Sequence, residues 1–344
     1  MNNRGLGINK KNKYAGILVD LDLKAVYTMS NRPNEPSLSG RGGETILPAR
    51  ITKRGSRQTY YTFRFLVGGD HQQDAYRAYA YFRWLDDLLD CDRGTRAEKL
   101  TLVNRQRDLL DACYRKQPGS IACPEEQMLA DLVRNDHEES SGLQYYLRNM
   151  MGLMAFDVER CGRWITLAEL TNYSHMLSTG VTELLFYFID HDDLSPRNED
   201  RYQAVRGAHI AHMLRDLLDD IDLGYINIPA ELLETHQITL GDLDNEAFRA
   251  WILERVKLAH QCFATGRKYF ARVKSLRCRL AAHAYLARFE WMLMTIQRED
   301  YHLRRVYPER KSMRASGWMA WRAFRSIFNM PVKDDVTRPL PLPY

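Results

Sequence analysis

Apolar residues recur at spacings of three and four along most of this chain, a pattern typical of helices that bury one face. The clearest windows are AYRAYAYFRWLDDLLD, LQYYLRNMMGLMAFDVE, AELTNYSHMLSTGVTELLFYFI, VRGAHIAHMLRDLLDDI and AHAYLARFEWMLMTIQRED, at residues 75–90, 143–159, 168–189, 205–221 and 282–300. The helical pattern begins at Ser56, and strand-like alternation is nearly absent after it. The sequence therefore predicts an all-α fold, and we expect one large helical domain.

The two ends of the chain differ from this helical body. Residues 1–50 have a basic start, a short apolar stretch and then NRPNEPSLSGRGGE, whose Pro, Gly, Ser and Asn content is typical of loops. An amphipathic stripe follows residue 316 at helical spacing: Trp318, Trp321, Phe324, Ile327 and Phe328. Such a stripe lies on a membrane surface or, more commonly, packs against the core. We predict a partly irregular extension (1–50), a helical domain (51–315) and an amphipathic tail (316–344).

Charge and cysteine content narrow the class of protein only slightly. The 49 Lys and Arg against 44 Asp and Glu give a formal net charge of +5, which suits anionic ligands or a membrane but also an ordinary surface. We expect no nucleic-acid partner. The six cysteines are scattered without a C-x-x-C pair, which predicts reduced thiols. Without a signal-peptide pattern or a long apolar run, we expect a cytoplasmic protein, with peripheral membrane contact as the alternative.

Two acidic clusters interrupt apolar helical segments. Asp86 and Asp90 in FRWLDDLLD share a helix face because they lie four residues apart, and Asp216 and Asp220 in HMLRDLLDDI repeat that spacing. Carboxylates among Leu, Trp and Phe are costly to bury unless they are paired or bound to metal. On opposed helices the two pairs would form a box for Mg²⁺ ions. A solvent-exposed face or pairing with a neighbouring arginine is the alternative, and the repeated spacing favours the metal interpretation.

Two histidines extend the face of the second cluster. His209, His212, Asp216 and Asp220 are separated by three, four and four residues, so they project from one side of a helix. An imidazole suits Mn²⁺, Co²⁺ or Zn²⁺ better than Mg²⁺. We take His212 as a candidate metal ligand and His209 as a candidate diphosphate contact. The alternative is that both are ordinary core histidines.

These segments resemble the squalene/phytoene synthase family. YAYFRWLDDLLD is similar to the first aspartate-rich signature of that family, and HIAHMLRDLLDDIDLGYINIP is similar to the second. SRQTYYTFRFL corresponds to the Ser-Lys/Arg segment that precedes the first signature. The resemblance continues through Asp157, LAELTNY and EDYHLRRV, and covers Ser56 to Lys311. It implies an isoprenoid-synthase helical bundle, in one domain, around a central cavity.

The resemblance also implies a role for each matching residue. The metal ligands would be Asp86, Asp90, Asp216 and Asp220, with His212 as a further candidate. The side chains that would contact substrate diphosphate are Ser56, Arg57, Arg83, Arg215, Arg305 and His209. Planar guanidinium groups suit that task because they donate two parallel hydrogen bonds. Tyr79 would lie near the reacting end of the substrate.

The implied reaction is the ionisation of a C15 or C20 isoprenyl diphosphate and its coupling to a second isoprenoid. Metal and arginines would stabilise the departing diphosphate, and an aromatic pocket would protect the allylic cation from water. The expected cofactor is Mg²⁺, with Mn²⁺ as the alternative. NADPH is not expected, because the sequence has no Gly-rich dinucleotide fingerprint. An apolar stripe at helical spacing between the signatures either lines the prenyl channel or forms core: Leu177, Val181, Leu184 and Phe188.

The sequence departs from the family pattern in three places. His209 and His212 stand where the family has Gln and Asn, and Asn227 replaces a Tyr. LSTGVT at 177–182 replaces a Val-Ala-Gly-x-Val-Gly-like run. Four alternatives therefore stay open: a terpene cyclase, prenyl transfer to a non-isoprenoid acceptor, a non-catalytic assembly factor, and a metal hydrolase built on HxxHxxxD. The four signature aspartates argue against an assembly factor, and a hydrolase would not need the first cluster.

Overall fold

The fold is known from a computed structural model that describes residues 41–90, 94–190, 195–241, 243, 245–308, 317–318 and 321–322. Over these residues the chain forms helices and one isolated β-bridge, between Ile165 and Pro229. The all-α prediction is confirmed. The chain divides into two compact units, Met1–His137 and Glu138–Tyr344, and each is described by itself.

The described part of the first unit is built around one long helix. Its helices are α1 (Arg41–Gly55), α2 (Arg57–Leu66), α3 (Gly69–Leu89), α4 (Arg96–Tyr114) and α5 (Pro124–Asn135). Helix α3 packs against α1, α2 and α5, and α4 packs against α5. The aspartates of the first signature therefore lie on the last turns of the helix that forms the centre of this unit.

Helix α1 overturns part of the prediction for the N-terminal extension. It begins at Arg41 and continues to Gly55, so the loop prediction is wrong for residues 41–44. Pro48 lies inside it, although proline removes a helical hydrogen bond. The hydroxyl of Thr52 donates to the Pro48 carbonyl at 2.8 Å, and both residues are buried. Packing of α1 along α3 outweighs the local preferences of Gly and Pro.

A buried carboxylate links three helices of this unit. Glu126 of α5 accepts hydrogen bonds from Arg105 (3.0 Å), from the amide of Gln106 (2.8 Å) and from the backbone N–H of Ala122 (2.8 Å). The hydroxyl of Tyr81 on α3 donates to Gln106 at 3.0 Å. Burial opposes the charge of Glu126, but these hydrogen bonds outweigh burial and lower its pKa to about 2. The network fixes α3 against α4 and α5.

The second unit is built around the helix that carries the second signature. Its described helices are α6 (Gly142–Arg160), α7 (Leu167–Ile189), α8 (Glu199–Asp222), α9 (Ala230–Thr235), α10 (Glu246–Phe270) and α11 (Leu276–Arg298). Helix α8 packs against α7, α10 and α11, and α6 packs against α7. The predicted window at 282–300 extends two residues beyond the end of α11. The stripe of Leu177, Val181, Leu184 and Phe188 is buried, as both of its interpretations require.

The described parts of the C-terminal tail pack on α11. The ring of Trp318 lies 5.7 Å from that of Trp291, and Arg322 donates to Glu290 at 2.7 Å. These contacts support the packing interpretation at both positions, whereas Trp321 is exposed. Phe324, Ile327 and Phe328 lie outside the described residues.

Two predictions from the sequence concern membrane-spanning segments and cysteine thiols. In the part of the chain that the structure describes, no helix has the length and apolar content needed to cross a bilayer. The cysteines with described positions carry free thiols, in line with the prediction: Cys113, Cys123, Cys161, Cys262 and Cys278. Cys91 lies outside the described residues.

Candidate functional site

The first aspartate cluster lies on the last two turns of α3. Asp86 is buried, with 3% of its surface exposed, whereas Asp90 is the partly exposed C-cap residue. Arg83 forms its ion pair with exposed Asp87, through N–O distances of 3.0 and 2.5 Å. Arg83 therefore binds Asp87, whereas the metal ligands predicted from the sequence in this cluster are Asp86 and Asp90.

Three predicted residues meet at the junction of α1 and α2. Ser56 is buried and caps α2, because its hydroxyl accepts a hydrogen bond from the Thr59 backbone N–H at 3.0 Å. A methyl group on Gly55 would lie 2.8 Å from the Tyr79 hydroxyl and 3.5 Å from Cδ of Arg83. Burial raises the pKa of Tyr79 above its usual value, so its hydroxyl stays neutral. Ser56, Tyr79 and Arg83 thus approach one another beside Gly55.

The second cluster contains a buried triad on one face of α8. Arg215 donates through Nε to Asp216 at 2.8 Å and through Nη2 to the other oxygen of the same carboxylate. The same Nη2 lies 2.7 Å from Nε2 of His212. Because a guanidinium only donates, Nε2 of His212 accepts this bond and its proton is on Nδ1. Burial and the charge of Arg215 lower the pKa of His212 well below 6.5, so the ring is neutral.

Asp220 is held by a buried chain of polar contacts. The amide of Asn227 donates to Asp220 at 2.8 Å and accepts from Arg160 at 2.7 Å. Arg160, only 1% exposed, donates to Asp157 at 2.5 Å, and Tyr173 donates to the other oxygen of Asp157 at 3.3 Å. We refer to Asp157, Arg160 and Asn227 as the Arg160 network. This network positions the Asp220 carboxylate from the interior of the unit.

The loops that follow α6 and α8, the second of which carries Asn227, are bonded to each other. The segment after α6 bonds to the segment after α8 through Gly162 N–H to the Gly224 carbonyl and Ala230 N–H to the Ile165 carbonyl, both at 2.8 Å. The β-bridge between residues 165 and 229 lies in the same place. Gly224 has a φ of +85°, which favours glycine. We call residues 161–166 and 223–230 the clasp.

His209 and Arg305 lie at either end of the second cluster. Nδ1 of His209 is 3.1 Å from the Ser174 hydroxyl on α7, and its ring lies 5.4 Å from that of Tyr173. Arg305 follows α11, pairs with Asp222, and lies 3.5 Å from Asp219. His209 is therefore tied to the Arg160 network through Tyr173, and Arg305 is fixed at the C-terminal end of α8.

The donor chemistry of these side chains fits a hard divalent cation, because Mg²⁺ prefers oxygen ligands such as carboxylates. Among the described residues, however, no three His, Cys, Asp or Glu side chains are grouped closely enough to hold a metal ion. In α8, Arg215 bonds both oxygens of Asp216 and the acceptor nitrogen of His212. A cation at Asp216 would therefore lie beside the positive charge of Arg215.

Sequence reasoning did not identify the Arg160 network. Asp157 was part of the resemblance and Asn227 was noted only as a departure from it. Arg160 lies three residues after Asp157 on α6, a spacing that permits their ion pair. The contact between Arg160 and Asn227 joins residues far apart in the chain, so no local sequence pattern predicts it.

Comparison with known proteins adds an independent line of support. The family model for squalene/phytoene synthase matches residues 52–314. A presqualene diphosphate synthase of Rhodopseudomonas palustris is 24% identical over 189 residues, which cover 54% of this chain and 62% of the relative. The chain thus spans less than two thirds of that relative.

Two solved structures are similar in fold. A squalene synthase, HpnC, from Alicyclobacillus acidocaldarius has a TM-score of 0.61 at 19% identity, covering 76% of this chain and 96% of that one. A dehydrosqualene synthase solved with a ligand has a TM-score of 0.63 at 15% identity, covering 83% and 95% respectively. At these identities the likeness extends to the fold.

Proposed function

Because this chain belongs to the squalene/phytoene synthase family, we propose that it is a prenyl transferase that ionises a C15 or C20 isoprenyl diphosphate and couples it to a second isoprenoid. The observation that carries the proposal is the placement of both aspartate signatures on the central helices of their units. In each signature one carboxylate is buried, Asp86 in α3 and Asp216 in α8, and Asp216 forms an ion pair with Arg215. Buried acids and bases of this kind are costly to keep without a function.

Arg215 is the side chain that we assign to the leaving diphosphate. Its N–H groups are directed at Asp216 and His212. Phosphate oxygens bind a guanidinium strongly and would compete for those N–H groups. We infer that substrate entry exchanges the internal ion pair for an ion pair with diphosphate, which makes the Asp216 carboxylate available to a cation.

Mg²⁺ would be held by Asp86, Asp90, Asp216 and Asp220, and when bound it would neutralise charge that develops on the leaving diphosphate. Arg83 and Arg305, with the exposed Arg57, add positive charge for the same oxygens. The Arg160 network holds Asp220 in one orientation, so that the carboxylate does not have to be ordered during binding. Mn²⁺ is the alternative cation, favoured if His212 also becomes a ligand.

Tyr79 is assigned to the reacting end of the substrate. Its buried, neutral ring offers a π face to a carbocation without supplying an anion that would trap it. Burial of the ring also keeps water away from the cation. His209 is assigned to diphosphate contact, with Ser174 fixing the orientation of its ring.

The proposal is tested by incubating the purified chain with geranyl, farnesyl and geranylgeranyl diphosphates and Mg²⁺, and measuring released diphosphate and product mass. A linear product of twice the substrate carbon number supports head-to-head coupling. A cyclic product of unchanged carbon number would assign the same site to a terpene cyclase. Absence of diphosphate release with every substrate and with both Mg²⁺ and Mn²⁺ would refute the proposal.

A further inference from the structure

Helix α2 has two faces of different character. At about 100° per residue, Thr59 and Phe63 project to one side, and they are 2% and 1% exposed. Tyr61 and Phe65 project to the opposite side and are 41% and 72% exposed. Their rings stack with centroids 6.0 Å apart and planes 11° apart. The helix therefore presents a preformed pair of aromatic rings to the outside of its unit.

The chain around this aromatic pair is rich in exposed basic residues. Between residues 47 and 70, the described side chains that are exposed include one acid, Asp70, and five bases. The bases are Arg50, Lys53, Arg54, Arg57 and Arg64. Within α2, Arg64 lies on the same side as the exposed rings, three residues from Tyr61. The described side chains that α1 and α2 expose between residues 47 and 66 are thus both aromatic and strongly cationic.

This combination identifies the chemistry of a partner. Aromatic rings are stable at the level of lipid headgroups, and basic side chains around them are attracted to anionic lipids. An acidic protein surface would satisfy the bases but would leave Phe65 exposed. We propose that the outer face of α2 docks the chain on an anionic lipid bilayer, with Tyr61 and Phe65 entering the headgroup region and Lys53, Arg54 and Arg64 contacting lipid phosphates.

The inference concerns a surface outside the proposed reaction, and its test does not need substrate. Sedimentation with phosphatidylcholine vesicles, with and without phosphatidylglycerol, measures the partition of the full chain into the lipid pellet. Binding is expected only with phosphatidylglycerol, and it should weaken as salt screens the charges. The double variant Tyr61→Ser, Phe65→Ser should bind about tenfold or more weakly, because insertion of both rings is lost.

The matched control changes two exposed apolar residues of the second unit. Tyr145 and Leu276 are 42% and 44% exposed, and the variant Tyr145→Ser, Leu276→Ser should bind vesicles like the parent. Circular dichroism melting confirms that each variant is folded. Arg64→Glu, which leaves both rings in place, should reduce binding about fivefold and steepen the requirement for low salt.

Equal binding to neutral vesicles would overturn the inference, and so would parental binding by both α2 variants. Loss of binding in Trp321→Ser alone would overturn it as well, because the tail would then make the membrane contact. Loss of self-association rather than of lipid binding in the α2 variants would also overturn it. Vesicle binding without diphosphate release would defeat the proposed reaction and leave this inference standing.

Discussion

The two aspartate signatures have nearly the same spacing but different electrostatic surroundings. In α3, Arg83 pairs with the exposed Asp87, and Asp86 is buried. In α8, Arg215 pairs with Asp216, the residue that corresponds to Asp86 in spacing, and also bonds His212. The arginine of each signature therefore pairs with a different kind of carboxylate: an exposed one in α3 and a buried candidate ligand in α8.

The ion pair of Arg215 bears on when the second cluster can bind a cation. A carboxylate that is already neutralised by an arginine is poorly suited to attract a cation in the absence of diphosphate. We therefore expect the second cluster to bind a cation together with diphosphate and not before it.

The largest effect is expected from Asp86→Asn. This change removes one charged ligand and keeps the volume of the side chain, so the rate of diphosphate release should fall about 10³-fold, equivalent to several kcal/mol of lost charge stabilisation. Asp87→Asn is the matched control, because its carboxylate pairs with Arg83 at the surface, and it should cost less than about tenfold. Similar losses for both variants would break the distinction between the two carboxylates.

A large effect on stability is expected from Arg160→Leu. It leaves the Asp157 charge buried without its ion-pair partner, which should lower the free energy of unfolding by about 3 kcal/mol or more. Urea denaturation measures this. The control Arg163→Leu removes an arginine that is 40% exposed and pairs with Glu169, and it should cost about 1 kcal/mol or less. Equal costs would mean that Arg160 contributes no more than a surface ion pair.

An intermediate effect is expected from Asn227→Leu, which removes the hydrogen bond to Asp220. Mg²⁺ binding in the presence of inorganic diphosphate, measured by calorimetry, should weaken about 10- to 100-fold, as is typical for residues that orient a ligand. Metal-independent binding of diphosphate should change little. The exposed Asn172 on α7 provides the control Asn172→Leu, for which both affinities should equal those of the parent. An unchanged Mg²⁺ affinity in Asn227→Leu would show that the Arg160 network does not contribute to metal binding.

The smallest effect is expected from pH acting on His212. Its folded pKa is lowered, so the unfolded chain binds more protons below the ordinary value of 6.5. Stability should be fully present above that pH and should fall as the pH decreases below it, by up to about 1.4 kcal/mol per pH unit for one histidine. His283, whose pKa burial and nearby arginines lower to about 4, contributes in the same direction. The difference between wild type and His212→Asn in metal-free protein therefore isolates His212.

The same shift bears on activity. A neutral His212 should give no step in the rate of diphosphate release near pH 6.5. A step at that pH that disappears in His212→Asn would show that the ring titrates there and would contradict the burial of the triad.

Much of this architecture could be predicted from the sequence, because the long helices α6, α7 and α8 bury one face and repeat apolar residues accordingly. The four aspartates were likewise accessible, since residues four apart share a helix face. The ion-pair partners of Arg83 and Arg215 could not be predicted in this way. By the spacing that joins Arg83 to Asp87, Arg215 should pair with Asp219, but Asp219 lies 3.5 Å from Arg305 and Arg215 bonds Asp216 instead. Several carboxylates lie within reach of each arginine along the helix, and contacts from distant segments of the chain decide which of them it pairs with.

The clasp has a dynamic consequence. Asn227 lies between Gly224 and Ala230, whose backbone groups bond to the loop after α6. Opening of these loops would therefore release Asp220 from its amide partner in the same event, so local unfolding and the freedom of this carboxylate are thermodynamically linked. Any ligand that requires Asp220 in its held orientation must slow hydrogen exchange at the amides of Gly162 and Ala230, although neither residue would touch it. The hydrogen-exchange rates of these two amides would thus report whether a ligand occupies the second cluster.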